Sequence, residues 1–322
     1  MEPIKSSLLK KAEFGILGAL LAEILLLTFL TASFGEEGFS SKFLNYSNVV
    51  QVLRSTSFIA MIVVGQTVVL IAGGIDLAVG SVLGLAGVVT AILIGEGSGS
   101  TAGILAGVVV GVLSGALTGF VITRFRVSPF ITTLGMLSVA RGLAYGITGG
   151  ETIRNMPEEF LFIGQGSLFG VPIPVLVTLL FAVMISYFLR ATTWGRYAYA
   201  IGGNETAAMY SGVNVKKMKL VYYSICGVAS ALAGVFYAAR FGVGQSTAGL
   251  GYELDVIAAA VIGGVSLSGG KGTILGAIIG SVFMGILRNG LVLLDVSAYW
   301  QQVAIGGVIV LAVGIDMQRK NS

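Results

Sequence analysis

The chain has no histidine and only one cysteine, and it carries little charge. Without histidine it lacks the commonest metal ligand and the usual proton carrier near neutral pH. A lone Cys226 excludes an intrachain disulfide and a cysteine metal site. Charged residues make up 11% of the 322 positions, where a soluble domain carries about 25%. The deficit runs along the whole length, and 55% of the residues are hydrophobic. These features define an integral membrane protein. Glycine occupies 48 positions, about twice the usual share. Low charge and strong periodicity argue against disorder or collagen, which leaves glycine-rich membrane helices packed closely together. The net charge of +4 reports topology before it reports any nucleic-acid partner.

A membrane span takes about 20 apolar residues, and the sequence predicts about ten, at roughly 14–33, 57–74, 77–95, 102–123, 129–148, 171–189, 219–239, 253–268, 273–293 and 299–315. Only Gly73–Leu77 separates the second from the third, and the eighth is short. Either is open to reading as a re-entrant or broken helix, so the count runs from about nine to eleven. The first span follows Lys5, Lys10 and Lys11, as in a signal peptide. Its apolar run is too long and lacks a small-residue cleavage site, so it reads as an anchor.

With ten spans and the N-terminus inside, thirteen cations fall in the cytoplasm: Lys5, Lys10, Lys11, Arg124, Arg126, Arg190, Arg196, Lys216, Lys217, Lys219, Lys271, Arg319 and Lys320. Five fall outside: Lys42, Arg54, Arg154, Arg240 and Arg288. Arg141 lies within a span. This split agrees with the positive-inside rule and places both termini in the cytoplasm. The expected layout is a cytoplasmic segment 1–13, a membrane domain 14–317 and a cytoplasmic tail 318–322. A long outer loop at about 149–170 carries Glu151, Glu158 and Glu159.

Gly103, Gly107, Gly111, Gly115 and Gly119 recur every four residues and share one helix face. Such a face suits tight packing against another backbone; lining a pore is the alternative. The stretch Gly195–Val213 is polar and has helix punctuation. Asn204 suits an N-cap, Glu205 the positive first turn, and Gly212 the C-terminal cap. A helix of about two turns is not stable alone in water, so it packs on its own span ends or on a partner.

The segment GVSLSGGKGT at Gly264–Thr273 fails as a phosphate loop. Val265 stands where the pattern needs glycine and Gly272 where it needs Ser or Thr. No other segment offers a nucleotide site, so any ATP must be bound by another chain. Gly73-Gly74-Ile75-Asp76-Leu77 interrupts two apolar runs with a carboxylate near membrane depth. Such groups face a cavity or a partner, and glycine-interrupted helices line transport paths. Alternatively Asp76 caps the third span, with Gly74 making the turn. Gln66 and Ser81 flank this break and suit hydrogen bonds to a sugar or to another helix. Glu253 and Asp255 follow Gly249 and Gly251 in a similar layout, a faint internal repeat of 73–87 and 251–265. Glu23, Arg141 and Arg288 are the other charges in or near spans. No nucleophile–base pair is recognisable, so no catalytic residue is expected.

Four motifs resemble the bacterial ribose-type sugar permeases, the membrane subunits of ATP-driven importers. They are GGIDLAVGS at Gly73–Ser81, SPFITTLGMLSVARGLA at Ser128–Ala144, GRYAYAIGGNETAAMYSGVNV at Gly195–Val215, and TAGLGYELDVIAAAVIGGVSLSGGKGTILGA at Thr247–Ala277. The resemblance covers about residues 50–317. Permeases for ribose, xylose, arabinose, galactose and galactofuranose share these motifs, and those for quorum-signal sugars and, more distantly, branched-chain amino acids are also similar. It implies an all-α polytopic fold with broken or short helices near 73–80 and 249–256. It also implies a second permease copy or close paralogue, a cytoplasmic ATPase that binds ATP-Mg, a periplasmic sugar-binding protein and a monosaccharide substrate. By the same resemblance Gly202, Gly203, Asn204, Glu205, Ala207, Ala208 and Gly212 form the ATPase-coupling loop. Gly74 and Asp76 match a Gly-Ile-Asp-Leu signature that is structural or path-lining. Gln66, Gly74, Asp76 and Ser81 are therefore the candidates for the translocation path, and no metal or nucleic acid is expected. The first 45 residues, with Glu23, Glu36 and Glu37, match nothing in the family. An ion-coupled carrier using Glu23, Asp76 or Asp255 is the competing expectation, and a channel or sensor scaffold is a third.

Overall fold

Apolar runs punctuated by glycine fold into thirteen helices and two short hairpins among the described residues. The computed structural model describes the backbone of residues 2–35 and 38–321, and side chains over 15–32, 40–311 and 313–314. Glu36 and Glu37 lie outside the described residues.

The chain opens with α1 (Glu2–Leu30), then β1 (Ala32–Gly35) and β2 (Gly38–Ser41), paired antiparallel with Ala32 opposite Ser41. Helices α2 (Tyr46–Ile71), α3 (Val79–Gly95), α4 (Ser100–Phe125) and α5 (Pro129–Thr148) follow. A loop then carries α6 (Glu158–Gln165) and the tiny hairpin β3 (Ser167–Leu168) and β4 (Val171–Pro172). Next are α7 (Ile173–Ala191), α8 (Thr193–Gly203), α9 (Glu205–Tyr210) and α10 (Val215–Phe241). The last three are α11 (Tyr252–Ile262), α12 (Ile274–Leu293) and α13 (Ala298–Asn321).

This is an all-α polytopic membrane protein, with six described helices long and apolar enough to cross a membrane: α2, α4, α5, α7, α10 and α12. The sequence predicted about ten spans. At two of the remaining sites the shortfall has a local cause. Helix α3 starts only at Val79 because the Gly73–Asp76 break uses up its first turns. The eighth predicted span, 253–268, is helical only over α11, since Gly263 and Gly264 end it early. Helices α1 and α13 are themselves 29 and 24 residues long, and within the described side chains their apolar stretches are Gly15–Leu30 and Ala298–Leu311.

Helices α2 and α10 form the centre. The most apolar window of α2 is 89% buried, against 22% for α5. Helix α10 packs along α4, α2 and α3. The five recurrent glycines of α4 are all buried, and they face neighbouring helices rather than a pore. Gly107 lies against Thr90 of α3, Gly111 against the Gly227 carbonyl of α10, and Gly119 against Leu220. Side chains there would hold the backbones apart, so the stripe serves close packing. Leu105, Leu113 and Leu117 point outward from the same helix. That apolar surface suits lipid.

Two crossings are discontinuous. After α2 the chain turns at Gly73 (φ 77°) and runs as irregular backbone over 72–78 before α3 begins. After α10 it turns at Gly242 (φ 66°), continues as irregular backbone to Gly251, and only then forms α11. The second interruption therefore lies mainly before residues 249–256. The two segments meet at Gly80 and Gly249, whose backbones touch, with the Glu253 carboxylate beside Gly80. The sequence similarity of 73–87 and 251–265 thus corresponds to two segments in contact. The first runs from the face of the bundle that carries α8 and α9. The second runs from the opposite face, where Gly244 pairs with Ile153.

Candidate functional site: a capped loop and two interrupted crossings

The loop between α7 and α10 has more helix than the sequence suggested. Thr192 caps α8, its hydroxyl accepting from the Gly195 amide at 3.0 Å. Asn204 caps α9, its side chain accepting from the Ala207 amide at 2.9 Å. Gly212 stands just past the end of α9 in the left-handed region, with φ 86°, as its expected capping role requires. The missed element is α8. Its apolar positions Ala198 and Ile201 are buried on one side, while Arg196 on the other is exposed. Threonine before a helical run was the available signal.

The predicted loop residues divide by role. Ala208 is buried and seats α9 on the core. Glu205 accepts a 2.7 Å salt bridge from Lys219 Nζ, which fastens α9 to α10. Gly203, Asn204, Ala207 and Gly212 lie on the exposed surface, and Gly202 is half-buried. Met209 and Tyr210 are exposed as well, Tyr210 at 83%. Together they form a short ridge with an apolar tip. Behind it, burial holds the Tyr199 phenol above its ordinary pKa, against the opposing charge of Arg190. Tyr199 is therefore a neutral donor over the physiological range, and its hydroxyl donates to the Gly272 carbonyl at 3.0 Å.

The four candidates at the first break lie inside the chain. Gln66 is fully buried, and Asp76 and Ser81 are nearly so. Asp76 Oδ1 accepts from the Ala78 amide at 2.9 Å. It closes a turn just ahead of α3, whose own N-cap Ala78 offers no side-chain bond. The turn glycine is Gly73 rather than Gly74. Gly74 instead makes room for Tyr223: a Cβ there would fall 2.5 Å from the phenol oxygen. That phenol donates to the Ile75 carbonyl at 3.2 Å. The Cys226 thiol lies between the Asp76 carboxylate and Gln66 Oε1, 3.3 Å from the latter. Gln66 Nε2 has no partner among the described residues. Gln66 and Asp76 thus sit together against the middle of α10. The sequence had placed them only as neighbours of one break.

The second break is held from its sides. Arg141 of α5 donates to the Ser246 carbonyl and, at 2.8 Å, to the Ala248 carbonyl. The Thr148 and Ser246 hydroxyls bond at 2.8 Å. Below the break, Asp255 pairs with Arg288 at 2.6 Å. Asp255 is 5% exposed and Arg288 45%. Sequence could not join them, because they lie on different helices. Glu23 of α1 has both carboxylate oxygens buried without a partner among the described residues.

No group of three His, Cys, Asp or Glu among the described residues is arranged to hold a metal. A cavity of about 560 Å³ is a groove on the opposite face lined by Ser98, Gly99, Ser100, Thr101, Glu159 and Phe160, among others. Ser100 donates to Glu159 across it at 3.0 Å. A smaller apolar groove of about 240 Å³ runs between α7 and α10. Neither includes Gln66, Asp76 or Ser81.

A bundle of membrane helices with two interrupted crossings and a capped loop at one end has the architecture of a transport permease. The chain belongs to the family described as branched-chain amino acid transport system / permease component, whose profile matches residues 48–313. It is 40% identical over 285 residues to the ribose import permease protein of Escherichia coli (strain K12), covering 87% of this chain and 89% of that one. The ribose import permease protein of Bacillus subtilis (strain 168) is 43% identical over 279 residues, covering 86% of this chain and 87% of that protein. The L-arabinose transport system permease protein of E. coli (strain K12) is 37% identical over 284 residues, covering 88% and 87% of the two chains.

Proposed function

We propose that this chain is the membrane-spanning subunit of an ATP-driven importer that carries a monosaccharide of the ribose type across the bacterial inner membrane. The observation that carries this reading is 40% identity to a ribose import permease across 87% of the chain. A D-allose permease of E. coli is also 36% identical over 275 residues. The substrate is therefore assigned as a class, a neutral sugar, for which a path with few charges suffices.

ATP-Mg is bound by a separate ATPase subunit, and the ridge of α9 with Met209 and Tyr210 is its seat. A second permease copy or close paralogue completes the membrane unit. A periplasmic protein delivers sugar to the face that carries the Ser98–Glu159 groove. We place both termini in the cytoplasm, with segment 1–13 and tail 318–322 there, because thirteen of the nineteen cations then lie inside. The chain then crosses about ten times, with the 242–251 segment and α11 together making one passage.

The test is uptake of labelled D-ribose, D-allose and L-arabinose by cells expressing this chain with the ATPase and binding protein encoded beside it. Uptake should survive a protonophore and stop when the ATPase is inactivated. Uptake that collapses with the proton gradient and ignores the ATPase would instead establish an ion-coupled carrier.

A further inference from the structure

The segment Gly264–Thr273 resembled a phosphate loop and failed as one, yet it lies at a crowded backbone junction of the loop face. Three stretches converge there: the end of α2 at Ile71, the end of α8 at Gly202 and Gly203, and the 266–272 turn between α11 and α12. The Gly270 amide donates to the Ile71 carbonyl at 2.8 Å. A Cβ on Gly202 would strike the Ile71 carbonyl oxygen and fall 2.5 Å from the Gly270 nitrogen. A Cβ on Gly269 would meet both Gly202 and Gly73 at 2.9 Å. Tyr199 adds its hydrogen bond to the Gly272 carbonyl. Within the turn, the Ser266 amide donates to the Lys271 carbonyl at 3.1 Å and the Gly269 amide to the Ser266 carbonyl at 3.2 Å. The turn is internally braced and touches α8 backbone to backbone.

We propose that the Ser266–Gly272 turn is the transmission element of the transporter, with Tyr199, Gly202 and Gly270 as its positioning residues. This rests on the reading of the α8–α9 loop as the ATPase seat. The geometry gives α8 no slack against the turn, because no flexible side chain separates them. Close-packed contacts shift between discrete arrangements rather than deforming smoothly. A tilt of α8 therefore moves the turn. From the turn the displacement has two exits. One passes through Ile71 to Gly73 and the Asp76 break. The other passes into α11, which ends at Gly263 against Gly276 of α12. Both interrupted crossings are thus reached from one junction.

The experiment uses the complete transporter in liposomes and reads labelled sugar moved per ATP hydrolysed, with D-ribose first and D-allose and L-arabinose as alternates. Tyr199→Phe removes one hydrogen bond and leaves the Gly272 carbonyl without its donor. It should co-purify with the ATPase at the normal ratio, while sugar per ATP falls about fivefold, the equivalent of one such bond. Gly202→Ala pushes α8 off the turn and should lower the ratio further. Unchanged sugar per ATP in both variants overturns the proposal, and if Gly202→Ala does not fold, Tyr199→Phe decides alone. A separate arm with Tyr210→Glu, on the exposed ridge, tests the seat itself. If that variant keeps both the ATPase and normal uptake, the docking reading fails, whatever the turn variants do.

Discussion

The break at 72–78 and the break at 242–251 interrupt two crossings and meet at Gly80 and Gly249, but they are held in different ways. The first is held by light, mostly neutral contacts: an Asp76 turn to the Ala78 amide, a Tyr223 phenol on the Ile75 carbonyl and a thiol beside Gln66. The second is held by charge. Arg141 clamps two of its carbonyls, and Asp255–Arg288 pins the helix that follows. In an apolar medium, irregular backbone survives only where protein groups satisfy it. A cation that bonds two carbonyls at once does this strongly, a neutral phenol on one carbonyl more weakly. The contrast suits the proposed mechanism. The break next to the proposed junction is the one with weaker restraints, and the break reached through α11 is the more firmly held.

That contrast can be broken by mutation, and the largest effect belongs at the second break. Arg288→Ala strands the Asp255 carboxylate, only 5% exposed, and should cost about 3 kcal/mol, at the low end for breaking a buried pair because Arg288 is partly exposed. Asp255→Ala strands only that partly exposed cation and should cost about 1 kcal/mol. Thermal unfolding in detergent gives the order, and equal losses would remove the asymmetry. Next comes Arg141→Met, which orphans the Ser246 and Ala248 carbonyls. A loss of about 2 kcal/mol is expected by the same measurement. At the first break the effects should be smaller. Asp76→Ala should cost about 1 kcal/mol, whereas Asp76→Asn keeps an oxygen for the Ala78 amide and should lie within a few tenths. If Asp76→Ala destabilises as much as Arg288→Ala, the two breaks do not differ as described. Smallest for the whole molecule is Asn204→Ala. It removes the α9 cap, worth about 1 kcal/mol locally, and should appear as faster amide exchange confined to Glu205–Tyr210.

These pairings also show where sequence reading stops. Asn204, Gly212 and the α4 glycines were legible because a cap and a four-residue stripe are local patterns, complete within one helix. The break at Gly73–Asp76 was legible for the same reason, although the turn fell to Gly73 rather than Gly74. Asp255–Arg288 and Arg141–Ala248 were not, since each joins elements whose relative placement no local pattern encodes. Helix α8 was passed over because its buried face is only Gly195, Ala198 and Ile201, too small a stripe to stand out beside Gly202 and Gly203. Helix length was misjudged where an apolar run continues but the helix does not, as at 253–268. Hydropathy measures the run and is blind to Gly263 and Gly264 ending the helix. Of the expected coupling residues, Ala208 turns into the core, and Glu205, itself exposed, is tied to Lys219. The outward ridge is Met209 and Tyr210.

The central claim is that this ridge seats an ATPase, and one labelling measurement addresses it. Cys226 is the only native cysteine and is fully buried, so Tyr210→Cys introduces a single exposed thiol. A maleimide should modify it rapidly in the isolated chain and at least about tenfold more slowly once the ATPase subunit is bound, as a contact that excludes solvent requires. An unchanged labelling rate in a complex that still transports sugar would contradict the account.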